Sequence, residues 1–223
     1  MGLQIAIDGP AAAGKSTVAK KIADTMGYIY IDTGAMYRAA TYKALRNGVD
    51  VQNGPALKNM LQETEIDLIP SDNGQTVHLD GKDITNDIRT PEVNRHVSDV
   101  SRHPEVREEM VARQQALAMA GGVVMDGRDI GTRVMPNADV KIYMKASVEQ
   151  RATRRYKEQI KKGIQTPFDE LKKEIALRDE RDRRQLQMAA DAIEIDTTAL
   201  TVDQVVEAIM AIIKERIYQR ESL

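Results

Sequence analysis

A glycine-rich segment near the start of the chain has residue types suited to binding phosphate groups. It reads Gly9-Pro10-Ala11-Ala12-Ala13-Gly14-Lys15-Ser16, with four residues between two glycines and then a lysine and a hydroxyl. Backbone N–H groups can converge on phosphate oxygens where glycines remove side-chain bulk, and a helix starting near Lys15 adds the positive end of its dipole. We therefore expect Lys15 to contact the β- and γ-phosphates of a nucleoside triphosphate, and the Ser16 hydroxyl to bind Mg²⁺.

The structural alternative for this segment is a tight glycine turn with a capping serine and no ligand. The flanking sequence favours the phosphate-binding interpretation, because an apolar run over residues 3–7 precedes the segment and helical spacing of apolar residues follows it. Such a loop occurs in kinases, GTPases, motors and metabolic ATPases alike, so it does not identify the phosphoryl acceptor.

Two segments that combine arginine with aspartate are candidates for binding that acceptor. Arg38 lies on a predicted helix after Asp32-Thr33-Gly34, and Asp126-Gly127-Arg128-Asp129 follows an apolar run. Guanidinium groups bind phosphate through paired hydrogen bonds, and ligands of open α/β sheets bind at the carboxyl ends of the strands. The alternatives are a solvated helix arginine at Arg38 and a plain strand-end cap at Asp126.

Two further basic sets have helical spacing, so that most members of each set share a helix face. The sets are Arg178, Arg181 with Asp182, and Arg151, Arg154 with Arg155. The alternative for the first set is intrahelical ion pairing, and for the second it is a solvated face. A functional interpretation of either set depends on a cleft to which the arginines contribute.

Strands and helices alternate along most of the chain, which predicts a mostly parallel sheet flanked by helices. The predicted strands are residues 3–7, 28–31, 123–125, 140–144 and 192–195, and the long predicted helices include 16–26, 36–45, 105–120 and 167–187. Between residues 65 and 79 apolar and polar residues alternate around Ser71-Asp72-Asn73-Gly74, which indicates an antiparallel hairpin. Thr90-Pro91 and Thr166-Pro167 are each predicted to begin a helix, with threonine as the cap.

Composition excludes several classes of site. The 223 residues include no cysteine, which rules out disulfides, thiolate metal sites and a cysteine nucleophile. A net charge of −2 and a low aromatic content argue against a nucleic-acid partner. The longest apolar runs are strand-sized and no export signal is visible, so we expect a cytoplasmic protein with no membrane partner.

Taken together, four motifs resemble those of bacterial cytidylate kinases in order and approximate spacing. They are the glycine-rich loop, the segment 32–38, the segment 126–132 and the segment 178–182, and the resemblance covers nearly the whole chain. It implies a P-loop NTPase-type α/β fold with an acceptor-binding insertion and a helical lid. The core is expected at residues 1–62, 105–150 and 188–223, the insertion at 63–104 and the lid at 151–166.

The resemblance also implies transfer of the γ-phosphoryl group of ATP to CMP or dCMP. It assigns ATP to Gly9, Pro10, Ala11, Ala12, Ala13, Gly14, Lys15, Ser16 and Thr17. It assigns the acceptor to Thr33, Arg38, Ser98, Arg107, Arg128, Asp129, Arg178, Arg181 and Asp182, with Asp129 on the cytosine amino group and Asp182 on the ribose. The expected catalytic residues are Lys15, Arg128, Arg151 and Arg155, and Mg²⁺ is expected at Ser16 and, through water, at Asp126.

Two positions depart from the family pattern. Thr33 stands where the family often has serine, and Gln185 stands where it usually has a phosphate-binding arginine, for which Arg184 is a candidate substitute. The competing functions are another small-acceptor P-loop kinase, such as an adenylate, uridylate or shikimate kinase, and a nucleotide-dependent switch. Against the switch, the sequence has no guanine-reading Asn-Lys-x-Asp segment. We expect a monomer.

Overall fold

A computed structural model of the protein describes residues 2–71, 74–161 and 163–222. In these residues the strands are β1 (Gln4–Asp8), β2 (Ile29–Asp32), β3 (Ile66–Ser71), β4 (Gly74–Leu79), β5 (Lys82–Asp83), β6 (Val123–Gly127), β7 (Val140–Lys145) and β8 (Ile193–Asp196). The α-helices are α1 (Lys15–Met26), α2 (Thr33–Arg46), α3 (Gly54–Gln62), α4 (Pro91–Ser101), α5 (Pro104–Ala118), α6 (Val148–Lys161), α7 (Phe168–Asp182) and α8 (Val202–Glu221).

Five parallel strands form the central sheet, in the order β2-β6-β1-β7-β8. The predicted α/β architecture is therefore confirmed. Side chains on both faces of β1 are buried, as expected for a strand covered by helices on each side. In this register Asp8 lies beside Gly127, and Asp32 lies beside Asp126. The carboxyl ends of β1, β2 and β6 consequently bring three acidic side chains to one edge of the sheet.

Two apolar clusters cover different parts of the molecule. One lies between the central sheet, α1 and α8, and includes Ile5, Ile22, Ile142 and Ile209. The other joins α2, α3, α4 and α5 away from the sheet, and includes Met36, Leu57, Val97 and Met110. Because α2, α4 and α5 share this second core, side chains from all three helices face a common cleft beside the sheet edge.

The predicted hairpin is confirmed as β3 and β4, which pair antiparallel, and β5 adds a third strand to this small sheet. Two residues of the predicted turn, Asp72 and Asn73, lie outside the described residues. In the described residues no helix is long and apolar enough to cross a membrane.

Several helix boundaries differ from the sequence predictions. Thr90 caps α4 as predicted, because its side chain accepts the N–H of Val93. The prediction for Thr166 was wrong: α7 begins at Phe168 and the extended Pro167 occupies the cap position. That helix also ends at Asp182 instead of continuing to residue 187. Helix α3 was not predicted; its cap, Asn53, accepts the N–H of Ala56.

Candidate active site

The carboxyl ends of β1, β2 and β6 form one side of a cavity, and helices α2, α4, α5 and α7 close the other side. Most of the predicted site residues line this cavity. They are Ala11, Ala12, Lys15, Ser16, Thr33, Arg38, Ser98, Arg107, Asp126, Arg128, Asp129, Arg178 and Asp182. Arg151, Arg155 and Arg181 are not part of the cavity wall.

The glycine-rich loop connects β1 to α1, and its glycines are required by the backbone. Gly9 has φ +149°, and a Cβ atom there would lie 2.1 Å from the carbonyl oxygen of Met144 on β7. Gly14 has φ +94° and occupies the cap position of α1 without a capping side chain. The N–H groups of the first turn of α1 are therefore available to an anion, as the sequence pattern predicts.

The side chain of Lys15 folds back over this loop. Its Nζ donates to the carbonyl oxygen of Pro10 at 2.8 Å, and the residue is only 5% exposed. Burial lowers the pKa of Lys15 to about 7, and the positive charge of Arg128 lowers it further. An ammonium group in this position has much to gain from a phosphate, whose negative charge offsets both effects.

Asp126 and Ser16 form an oxygen-rich corner of the cavity. The Ser16 hydroxyl donates to one carboxylate oxygen of Asp126 at 2.9 Å, and the Tyr30 hydroxyl donates to the other at 2.8 Å. Burial raises the pKa of Asp126 to about 6, and the nearby Asp32 acts in the same direction. Hydroxyl and carboxylate oxygens are the ligands that Mg²⁺ prefers, so the residues present fit this ion. Tyr30 was not predicted as a site residue.

Asp182 organises the phosphate and ribose region predicted for the acceptor. Its carboxylate accepts from the Ser98 hydroxyl at 2.8 Å and from Nε of Arg128 at 3.1 Å, with Nε of Arg178 at 3.6 Å. Burial opposes ionisation, but Arg128 and Arg178 together hold the pKa of Asp182 below its usual range. The predicted ion pair between Arg178 and Asp182 on one helix face is present, and it faces the cavity instead of solvent.

Three guanidinium groups converge on this region. Burial lowers the pKa of Arg178 to about 9, and Arg38 and Arg128 lower it further through their charges. Arg38 is held by the side-chain oxygen of Asn94, which accepts from its Nη2 at 3.1 Å. This concentration of positive charge, only partly balanced by Asp182, is suited to a ligand with two negative charges.

The other predicted acceptor contacts lie near Asp129. The carboxylate of Asp129 is ion-paired with Arg107, and both residues line the cavity. Thr33 also lines the cavity, but its hydroxyl donates to the carbonyl oxygen of Asp126 at 2.7 Å. The free protein therefore uses this hydroxyl to join α2 to β6.

The basic residues of α6 occupy three different environments. Arg151 is buried, where it is ion-paired with Asp179 of α7 and donates to the carbonyl oxygen of Ala11 at 3.1 Å. Arg154 donates to the carbonyl oxygen of Ala13 at 2.9 Å. Arg155 forms an ion pair with Glu158 on its own helix. Two of the three predicted lid arginines thus contact the phosphate-binding loop through its carbonyl groups.

At the end of α7 the exposed residues differ from the cavity residues. Arg181 and Arg184 are exposed, whereas Gln185 lines the cavity and donates from Nε2 to the carbonyl oxygen of Ser101 at 3.0 Å. The helix ends at Asp182, and the following turn points Gln185 inward. Gln185, not Arg184, therefore occupies this part of the wall.

One buried acid was missed by the sequence analysis. Both carboxylate oxygens of Asp8 accept backbone N–H groups, from Ile130 and Gly131, at 2.8 Å each. Burial raises the pKa of Asp8 to about 6. Its signal in the sequence was an acid at the end of an apolar run, directly before Gly9.

Comparison with known proteins gives a consistent result. A family model described as cytidylate kinase matches residues 5–215. A cytidylate kinase of Geobacillus kaustophilus (strain HTA426) is 59% identical over 219 residues, covering 96% of this chain and 98% of that protein. A cytidylate kinase of Ligilactobacillus salivarius (strain UCC118) is 56% identical, with 96% and 97% covered. One of Bacillus subtilis (strain 168) is 54% identical, with the same coverage.

Proposed function

The chain belongs to the cytidylate kinase family, and on this premise we propose that it transfers the γ-phosphoryl group of ATP to CMP and dCMP, giving the corresponding diphosphates. The observation that carries the proposal is that one cavity holds both halves of the reaction. The phosphate-binding loop lies on one side, and the cluster of Arg38, Arg128 and Arg178 around Asp182 lies on the other.

In the proposed donor site the loop from Gly9 to Thr17 binds the phosphates of ATP. Lys15 releases the carbonyl oxygen of Pro10 and contacts the β- and γ-phosphates, where its charge stabilises the migrating phosphoryl group. Ser16 would hold Mg²⁺, with Asp126 in a position to accept from a water ligand of the ion. When bound, the ion neutralises charge on the phosphate oxygens.

In the proposed acceptor site the phosphate of CMP is held by Arg38 and Arg128, with Arg178 close to both. This phosphate oxygen is already ionised, so it can attack the γ-phosphorus in line without a general base. Asp182 accepts from a ribose hydroxyl, and its bonds to Ser98 and Arg128 fix the carboxylate for this role. Catalysis then comes mainly from positioning and from the cations around the transferred group.

At the other end of the acceptor site Asp129 accepts from the N4 amino group of cytosine. Arg107 holds the Asp129 carboxylate in place and supplies donors toward the base, and Ser98 lies on the same wall. Uracil presents a carbonyl oxygen where cytosine presents an amino group. A fixed carboxylate therefore disfavours uracil in a site from which water is excluded.

We further propose that residues 151–166 act as a lid in which Arg151 and Arg155 stabilise the transferring phosphoryl group. The contacts of Arg151 and Arg154 with the loop carbonyls place these residues beside the donor phosphates. Adding ATP and CMP together, or a bisubstrate analogue, is expected to slow hydrogen exchange over residues 151–161 more than either nucleotide alone. Equal protection in all three states would contradict a lid.

The decisive test is an assay of ADP release with CMP, dCMP, UMP, AMP, GMP and shikimate as acceptors, at saturating MgATP. We expect kcat/KM to be highest for CMP or dCMP. A preference for shikimate, AMP or UMP would assign the site to another small-acceptor kinase. Slow hydrolysis with no transfer to any acceptor, together with nucleotide-dependent binding of a protein, would favour a switch.

All the residues in this account belong to one chain, so we propose a monomer that acts in the cytoplasm on ATP and CMP or dCMP, without nucleic acid or membrane. Size-exclusion chromatography with light scattering, at the concentration of the assay, tests the monomer directly.

A further inference from the structure

Two buried polar atoms lie on the wall of the cavity without a partner. Tyr37 is 9% exposed and Gln114 is 1% exposed, and both line the cavity. Among the described residues, neither the Tyr37 hydroxyl nor Nε2 of Gln114 has a hydrogen-bond partner. The side chains are close enough for Gln114 to affect the pKa of Tyr37, but no hydrogen bond joins these two atoms.

These two atoms lie beside the Arg107–Asp129 pair. Arg107 and Gln114 are both on α5, seven residues apart, so they lie on the same helix face two turns from each other. The guanidinium group of Arg107 lies 5.7 Å from the centroid of the Tyr37 ring. Burial raises the pKa of Tyr37 to about 12, so its hydroxyl is protonated at neutral pH and can donate.

An unpaired polar atom inside a protein destabilises the folded state, since it gives up its hydrogen bonds with water. Phenylalanine and leucine fill nearly the same volumes as tyrosine and glutamine and would avoid that cost. A ligand that supplies the missing partner turns the cost into affinity and specificity, because analogues without the matching group leave the atoms unpaired.

We propose that Gln114 and Tyr37 are specificity-determining residues for the acceptor base, with Nε2 of Gln114 and the Tyr37 hydroxyl donating to the acceptor edge of cytosine, its O2 and N3. This assignment rests on the proposed function. It complements Asp129, because the carboxylate accepts from the amino group while the two donors face the remaining polar atoms of the ring. Uracil shares O2 with cytosine but carries hydrogen on N3, so a donor facing N3 also disfavours uracil.

The test compares Gln114→Leu and Tyr37→Phe with the parent protein, and uses Gln115→Leu as a matched control. Gln115 is the next residue of α5 and is exposed, with its amide donating to the carbonyl oxygen of Arg133. The measurements are the melting temperature without ligand, the Kd of CMP by calorimetry, the KM of ATP, and kcat/KM for CMP and UMP.

We expect both substitutions to leave the melting temperature of the free protein unchanged or raised, since each removes an unpaired buried atom. CMP binding should weaken about ten- to a hundredfold, with a similar fall in kcat/KM for CMP and a smaller fall for UMP. The KM of ATP should change less than about twofold. Gln115→Leu should match the parent in every measurement.

An unchanged CMP affinity in a variant that gains stability would overturn the proposal and assign the two groups to hydration of the cavity. If Gln114→Leu lowers the melting temperature, Tyr37→Phe decides the question, because it removes a single oxygen. If the parent protein itself fails to bind or phosphorylate CMP, the proposed function is wrong. A parent that uses CMP, with variants that keep its affinity, refutes only this assignment.

Discussion

The carboxylate of Asp8 accepts the backbone N–H of Gly131 at 2.8 Å, and its second oxygen accepts the N–H of Ile130 at the same distance. Asp8 is the last residue of β1 and immediately precedes the phosphate-binding loop. The two N–H groups belong to the turn that directly follows Arg128 and Asp129. One buried side chain thus connects the proposed donor loop to the segment that carries the proposed acceptor contacts.

Asp8→Asn is expected to change how stability depends on pH. Burial raises the pKa of Asp8 from 3.8 to about 6 in the folded protein, so the folded state takes up a proton at a higher pH than the unfolded state does. This residue therefore favours folding increasingly as pH falls from about 7 to 4, whereas asparagine does not titrate. The stability of Asp8→Asn relative to the parent should fall by on the order of 3 kcal/mol over this window.

Urea unfolding at pH 8, 7, 6 and 5 measures this difference. Asp83→Asn is a suitable control, since Asp83 is exposed and its pKa is lowered by hydrogen bonds from Thr85, which gives a small change of opposite sign. A difference between Asp8→Asn and the parent that stays constant from pH 8 to 5 would contradict the assignment of a raised pKa to Asp8.

Much of the fold could be predicted because its signals are local. The central strands are short apolar runs, and the phosphate-binding loop is a contiguous pattern between a strand and a helix. Helix α3 was missed because only four of its residues are buried, which gives a weak apolar periodicity. The error at Thr166 has a similar cause, since a threonine before a proline fits two cap registers one residue apart.

The site was predicted where a motif is contiguous or a family pattern exists, as for Lys15 and Asp129. Its tertiary partners were not predictable, because they come from distant segments. Asp8 bonds to residues more than 120 positions away, and Tyr30 reaches Asp126 across the pairing of β2 with β6. Gln114 lacked any sequence signal, since one glutamine on a charged helix resembles its exposed neighbours.

Asp179→Ala tests the connection between α6 and α7. It removes the carboxylate that pairs with the buried Arg151, while the bonds from Arg151 to the carbonyl oxygens of Ala11 and Ala146 can persist. We expect a loss of about 1–3 kcal/mol in unfolding free energy, because a buried charge loses its partner. The KM of ATP should rise as well, since Arg151 also contacts the phosphate-binding loop.

Glu149→Ala is the matched control for this prediction. Glu149 pairs with Lys172 across the same two helices, but both side chains are about half exposed. Its loss should change stability by less than about 0.5 kcal/mol. Similar small effects from both substitutions, measured by chemical unfolding, would show that the Arg151–Asp179 pair contributes no more than a surface ion pair.

Lys15 should give ATP binding a characteristic pH dependence. Burial lowers the pKa of Lys15 to about 7 in the free protein, so the side chain becomes neutral as pH rises above 7. A bound triphosphate stabilises the charged form and raises that pKa. We expect kcat/KM for ATP to decline above pH 7, while kcat stays level over the same range.

Lys15→Arg provides the comparison, because arginine keeps its charge at every pH of the assay. Whatever activity this variant retains should show no decline in kcat/KM between pH 7 and 9. If its profile falls in parallel with that of the parent, another group is responsible for the pH dependence.

Asp129→Asn tests how the base is recognised. The Asp129 carboxylate is buried and held by Arg107, so it can accept from the amino group of cytosine but faces the carbonyl oxygen of uracil with two lone pairs. Asparagine can turn its amide to donate to that carbonyl. The variant should lose activity on CMP and narrow the ratio of kcat/KM for CMP over UMP by about ten- to a hundredfold.

Asp182→Asn separates this effect from a general loss of acceptor binding. Asp182 bonds to Ser98 and Arg128 in the proposed ribose and phosphate region, so its substitution should lower kcat/KM for CMP and UMP together and leave their ratio within about threefold of the parent value. Both variants and the parent are measured at the same free Mg²⁺ and saturating ATP. If Asp129→Asn also preserves the ratio, Asp129 supports the phosphates or the fold, and discrimination between the bases must come from Ser98, Arg107 and the donors of Gln114 and Tyr37.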